Sequence, residues 1–170
     1  MGILSGNPKE EPLHYGEVFA LWSYLFTTNS CISAYQTLIN HVGDGDLKKL
    51  MEEVINACQN EVKQIEIILK ENEVGLPPTP PERPHASLDE IPVGARFLDN
   101  EVSAKVGADI ATGLVSCSTI IGESIREDIA VMFGQFHTTK ATLAAKSLRL
   151  NKEKGWITPP PLHKSKAEDI

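Results

Sequence analysis

Apolar residues recur at three- and four-residue steps over four long stretches of the chain, the spacing of one helical face. In the first, Val18, Leu21, Leu25, Ile32, Tyr35, Ile39 and Val42 follow this rhythm between Pro12 and Gly43, predicting a helix over about 13–42. Gly43-Asp44-Gly45-Asp46 reads as a tight turn whose aspartates can cap the next helix. The second stretch, about 46–73, carries Leu47, Leu50, Met51, Val54, Cys58, Val62, Ile65 and Leu69, with Lys48, Glu52, Asn56, Lys63 and Lys70 on the opposite side. A loop this short makes the two helices antiparallel neighbours. Val102, Val106, Ile110, Leu114, Cys117 and Ile121 predict a third helix over about 99–122. It is rich in small residues (Ser103, Ala104, Gly107, Ala108, Ala111, Gly113) that let another backbone come close. The fourth, about 125–154, uses Ile129, Met132, Phe133, Phe136, Leu143 and Leu150. Ser124-Ile125-Arg126-Glu127 reads as a capping box at its start, and Gly155 ends it. No segment alternates as a strand does.

Between the second and third helices lies Leu76-Pro77-Pro78-Thr79-Pro80-Pro81-Glu82-Arg83-Pro84, with five prolines in nine residues. Prolines at this density forbid a helix and favour an extended chain. A helix of ~27 residues is roughly 40 Å long, and a proline-rich segment at ~3.1 Å per residue covers that with residues to spare. The non-helical stretch 74–98 is therefore expected to cross the full height of a bundle. An interdomain linker is the weaker reading, because either hairpin alone leaves an apolar face uncovered. The expected fold is all-α: a ferritin-like four-helix bundle over 13–156, up-down-down-up, with a lead-in at 1–12 and a tail at 157–170.

Composition narrows the function classes. The chain has 170 residues, 41% hydrophobic and 23% charged, enough for one domain with a real core. A net charge of −7 without a basic block argues against nucleic acid as a partner. No run approaches ~18 consecutive apolar residues, so no membrane span is expected. Cys31, Cys58 and Cys117 are odd in number and each lies in an amphipathic stretch, which suits reduced, buried thiols. No signal-peptide pattern opens the chain, and a cytosolic location, including a mother cell or spore, is expected.

For this topology the first chemical question is a di-metal carboxylate site, which needs Glu-x-x-His on two helices. Of His14, His41, His85, His137 and His163, His14 and His85 have a glutamate three residues earlier, but Pro12 separates Glu11 from the helix and Glu82 lies in the proline-rich segment. The motif is absent, no cofactor is expected, and an enzyme of that class is not predicted. A second feature is a row of polar residues interrupting the apolar stripes near mid-helix: Thr28, Glu61, Asp109 and Lys140. They are expected to form a buried polar layer in which Lys140 balances Glu61 and Asp109, or else to reach solvent at the stripe edges. A third is His14 with Glu17 on a first helical turn, where Glu123 and Asp128 could complete a shell around one divalent ion. A helix-start charge pair is the more ordinary reading. Trp22, Tyr24 and Phe26 give helix 1 an extra apolar face that would suit a homodimer.

Four strings carry a resemblance over about 12–160: Pro12-Leu13-His14-Tyr15-Gly16-Glu17, Leu76 to Glu82, Met132-Phe133-Gly134-Gln135-Phe136-His137, and Lys154-Gly155-Trp156. They look like a family from Bacillus-type spore formers whose members are labelled spore coat proteins, coat protein F-like. The resemblance implies a ferritin-like bundle associated with sporulation. It also implies that His14, Gly16 and Glu17 form a polar or metal site. The leading expectation is a non-enzymatic structural protein of the spore coat, acting through its surfaces on further copies or other coat proteins. The alternatives are a single-metal protein at the His14/Glu17 end and an adaptor whose proline-rich crossover docks in an aromatic groove.

Overall fold

The computed structural model describes residues 11–163. The lead-in before Glu11 and the tail after His163 lie outside the described residues. Among the described residues there are four long helices and no strand: α1 (Tyr15–Leu38), α2 (Gly45–Glu71), α3 (Asp99–Glu123) and α4 (Glu127–Lys154). Helix α1 is shorter than its apolar rhythm because His14 caps its start and its last turn tightens into a 3-10 segment, Ile39–His41. At the other junction the expected capping box does not form. Ser124 closes α3, donating from both its amide and its hydroxyl to the Ile120 carbonyl, and α4 begins only at Glu127.

Contacts at the two ends define the helix directions. At one end Gly43 and Asp44, after α1, donate backbone N–H groups to Asp99 at the start of α3. Lys154, at the end of α4, meets Asp44 and Asp46 there at 2.7 and 2.8 Å. At the other end Glu17 of α1 meets Ile125 and Arg126 ahead of α4, and Arg126 reaches Asn72 after α2. Helix α1 is therefore antiparallel to α2, α3 runs in the same direction as α2, and α4 returns.

The core falls into two apolar clusters stacked along the helices. One gathers Leu47, Met51, Val54, Val102, Val106, Leu143 and Leu150, and the other Leu21, Leu25, Ile65, Leu69, Ile129 and Phe133. Burying each such side chain contributes about 1.5–3 kcal/mol before the entropy of ordering is charged against it. Between the clusters, on the register of Thr28, Glu61, Gly113 and Lys140, the interior turns polar.

The connection from α2 to α3 is strapped to α1. Trp22 Nε1 donates to the Gly75 carbonyl and Asn29 to Thr79, while Ser33 and Gln36 meet Arg83. Asn40 then takes Pro84 and Ala86. The spacing 22, 29, 33, 36, 40 is one helical stripe, so α1 gives its polar stripe to the strap and its apolar stripe to the core. His41 finishes the crossover, its ring edge-on to Phe97 at 5.3 Å.

Candidate functional site

Glu61 and Lys140 form an ion pair in the middle of the protein. The Lys140 ammonium lies 2.8 Å from Oε1 and 3.0 Å from Oε2 of Glu61. Glu61 is 1% exposed and Lys140 9%. Tyr24 donates its hydroxyl to Glu61 Oε2 at 3.0 Å and lies 3.5 Å from Cys117 Sγ. Burial pulls the lysine pKa down, but the Glu61 charge and hydrogen bond outweigh that and hold the ammonium above the ordinary lysine range. Burial is also the largest influence raising the Tyr24 and Tyr35 hydroxyls, with Glu61 and Asp109 respectively next, so both phenols stay neutral. Gly113 explains how Lys140 arrives there. A Cβ at that position would lie 2.9 Å from Lys140 Cδ and 3.0 Å from Cε, so glycine leaves the corridor through which the lysine stem passes from α4.

The other two residues of the expected layer have different partners. Asp109 accepts from Tyr35 at 3.0 Å and pairs with Lys105 one turn earlier on α3, rather than with Lys140. Thr28 turns its hydroxyl back to the Tyr24 carbonyl at 2.7 Å.

At the α1/α4 end, the string His14-Tyr15-Gly16-Glu17 is tied into backbone. His14 Nδ1 accepts from Gly16 N (2.9 Å) and Glu17 N (3.4 Å), while Glu17 Oε2 accepts from His14 N, a capping box with imidazole in the serine role. The ring lies over Gly16, where a Cβ would come within 2.6 Å of it. Glu17 Oε1 accepts from Ile125 N (2.9 Å) and Arg126 N (3.0 Å), so one buried carboxylate caps two helices. Arg126, 5% exposed, pairs with Asp128 and donates to the Glu11 carbonyl and to Asn72. Asp128 is thus engaged by a guanidinium, and Glu123 is exposed at the last turn of α3. Among the described residues no three His, Cys, Asp or Glu side chains gather as a metal would require.

A cleft of about 450 Å³ opens between α1 and α3, with Lys140, Tyr24 and Cys58 reached from its walls. Burial raises all three thiols and pushes Cys58 up to about 12, so they are protonated at neutral pH. Sequence reasoning missed this cleft, the double cap at Glu17 and the role of Arg126. The small residues facing one another on helices 1 and 3 were the one available signal for the first.

By fold and site this is an all-helical protein of four long helices, with a buried ion pair at its centre and a stitched carboxylate–arginine end. The chain belongs to the family described as "Protein of unknown function (DUF3231)", whose pattern it matches over residues 1–168. It is 62% identical over 166 residues, 98% of each chain, to "Uncharacterized protein YvdQ" of Bacillus subtilis (strain 168). It also superposes on the crystal structure of a "putative spore coat protein" from Bacillus halodurans C-125 with a TM-score of 0.92 and 59% identity, covering 94% of this chain and 100% of that one.

Proposed function

We propose that this chain is a ferritin-like bundle with a structural, non-enzymatic role in or around the spore coat, acting by self-association. Three observations support the reading. Helices α2 and α3 run the same way, joined by the strap, which is the connectivity of ferritin-like bundles. A relative with 59% identity carries the spore coat name. The third observation carries the most weight: the solvent side of the α3–α4 hairpin is almost free of charge. From Val106 to Gly122 the sole charged residue is Asp109, and from Ile129 to Ala145 it is Lys140, which is buried. Ala108, Ala111, Ser118, Val131, Thr138, Ala141 and Ala145 face solvent instead. On a chain of net charge −7, this is the face on which a second like-charged copy is least repelled, and its small side chains allow close approach.

No observation favours the single-metal alternative, since the lone pairs of His14 Nδ1 and of Glu17 already receive backbone N–H groups. Likewise the crossover is held along α1 by five side chains and reads first as a strap. Helix α3 is also long and apolar enough by composition to cross a membrane, and 22% of that stretch is buried. The test therefore has two arms. Sedimentation equilibrium of the full chain is expected to show a dimer that Ala108→Lys and Ala141→Lys dissociate with helix content unchanged. A monomer at every concentration, or a chain that co-sediments with phosphatidylglycerol vesicles instead, overturns it. A fluorescent fusion in a sporulating cell is expected at the developing spore.

A further inference from the structure

We propose that the α1/α3 cleft binds a neutral, mostly apolar small molecule carrying one oxygen acceptor, received at the cleft floor by the Lys140 ammonium. The volume of about 450 Å³ lies within the range of small-molecule sites, roughly 300–1,000 Å³. It exists because the two walls carry side chains too short to meet: Ala20, Ser23 and Thr27 on α1 face Thr112 and Ser116 on α3. The aromatic ring of Phe19 and the side chain of Val115, both exposed, stand at the rim.

The floor selects the chemistry. An ammonium has three N–H donors, and among the described residues Glu61 is the one acceptor recorded within reach of Lys140. Nζ donates to Glu61 Oε2 and lies 2.8 Å from Oε1, so with at most one N–H given to each oxygen, at least one N–H of a residue only 9% exposed has no protein acceptor while it lines the cleft. An oxygen placed there gains a charge-assisted hydrogen bond. The charges near the cleft floor are already balanced in pairs, Lys140 with Glu61 and Lys105 with Asp109, and the other charged residue of the lining, Glu123, is exposed at the last turn of α3. A net charge brought down to the floor is therefore desolvated with nothing beside it left to offset it, which disfavours carboxylates and amines there relative to ketones, esters or alcohols with a hydrocarbon body. The Tyr24 and Tyr35 hydroxyls do not compete for that oxygen, because each already donates to a carboxylate. This site does not depend on self-association, whose face lies on the outer side of α3 and α4.

The probe is Nile red, a neutral dye with a carbonyl oxygen, titrated into the full chain and then displaced by competitors. Saturable binding at one dye per chain is expected, displaced by 2-decanone and at least about tenfold less well by decanoate or decylammonium. Ser116→Trp, which plugs the cleft from a partly exposed position, should weaken dye binding about tenfold or more with the helical circular dichroism unchanged. Lys140→Met combined with Glu61→Leu removes the pair without stranding a charge and should weaken 2-decanone about tenfold. If that double variant does not fold, Ser116→Trp and the competitor series decide alone. Absence of saturable binding, full binding in Ser116→Trp, decanoate competing as well as 2-decanone, or dye binding that tracks dimer formation would each overturn the proposal.

Discussion

Lys140 illustrates how much a single position depends on its neighbours. Alone in the interior its charge would be expelled; beside Glu61, and with Gly113 clearing its path, it is held. Lys140→Met should destabilise by about 3–5 kcal/mol because it leaves Glu61 charged and buried, whereas Lys140→Met with Glu61→Leu should come close to neutral. Urea denaturation of the three proteins checks this, and equal losses in single and double variants would refute the pairing. Gly113 admits a comparison with Gly134, where a Cβ would meet nothing within 4 Å. Gly134→Ala should stabilise by up to about 1 kcal/mol, the helix-interior difference between the two residues. Gly113→Ala should fall short of that gain or reverse it, because the new methyl pushes on the lysine stem.

The elements are defined less by their interiors than by their ends. Helix α4 has no capping side chain at Arg126; the N–H groups of Ile125 and Arg126, just ahead of its first turn, are met by Glu17, more than a hundred residues earlier. Glu17→Gln keeps the shape but offers one carbonyl where two oxygens accepted three backbone N–H groups, and Glu17→Ala removes them all. The expected loss for alanine is about 2–4 kcal/mol, two caps together, with amides 125–130 gaining hydrogen-exchange rate along with amides 14–18. Faster exchange at α1 alone would show that the two helix starts are not joined. The apolar rhythm of α4 was readable from its residues. Its starting point was not, because Ser124 and Glu127 offered a local box that lost to a carboxylate from another helix.

At the scale of the whole molecule, acid and alkali act on different pairs. Asp128 is held below the usual carboxylate range chiefly by its hydrogen bond from Arg126, and Asp44 chiefly by its hydrogen bond from Lys154. A depressed folded-state pKa contributes stability that is complete above the unfolded value near 3.9 and is lost as pH falls through the folded value. Thermal midpoints should therefore hold down to about pH 5 and drop from there, with a shallower drop in Asp128→Asn. On the alkaline side, the raised values of Lys140, Tyr24 and Tyr35 contribute stability that is present below about pH 10 and lost above it. Tyrosinate absorbance of Tyr24 and Tyr35 should stay silent until the chain unfolds; smooth titration in the folded state would place those hydroxyls in water. The raised thiols lead to a matching expectation: Cys58 and Cys117 should alkylate only on unfolding.

What the residues settle among themselves is everything carried by short-range pattern: four helices, the apolar stripe of each, an extended proline segment too long for a turn, and polar interruptions on those stripes. Those signals depend on a residue and its neighbours within a turn or two, so they survive without any knowledge of what lies opposite. Tertiary structure decided who meets whom. It gave Glu61 to Lys140 but Asp109 to Tyr35 and Lys105, turned His14 and Glu17 into a knot of backbone hydrogen bonds, and left a cleft where small side chains on α1 and α3 face each other. A periodic pattern sets the height and face of a side chain, while partner and distance depend on the rotation and separation of helices that only packing can set.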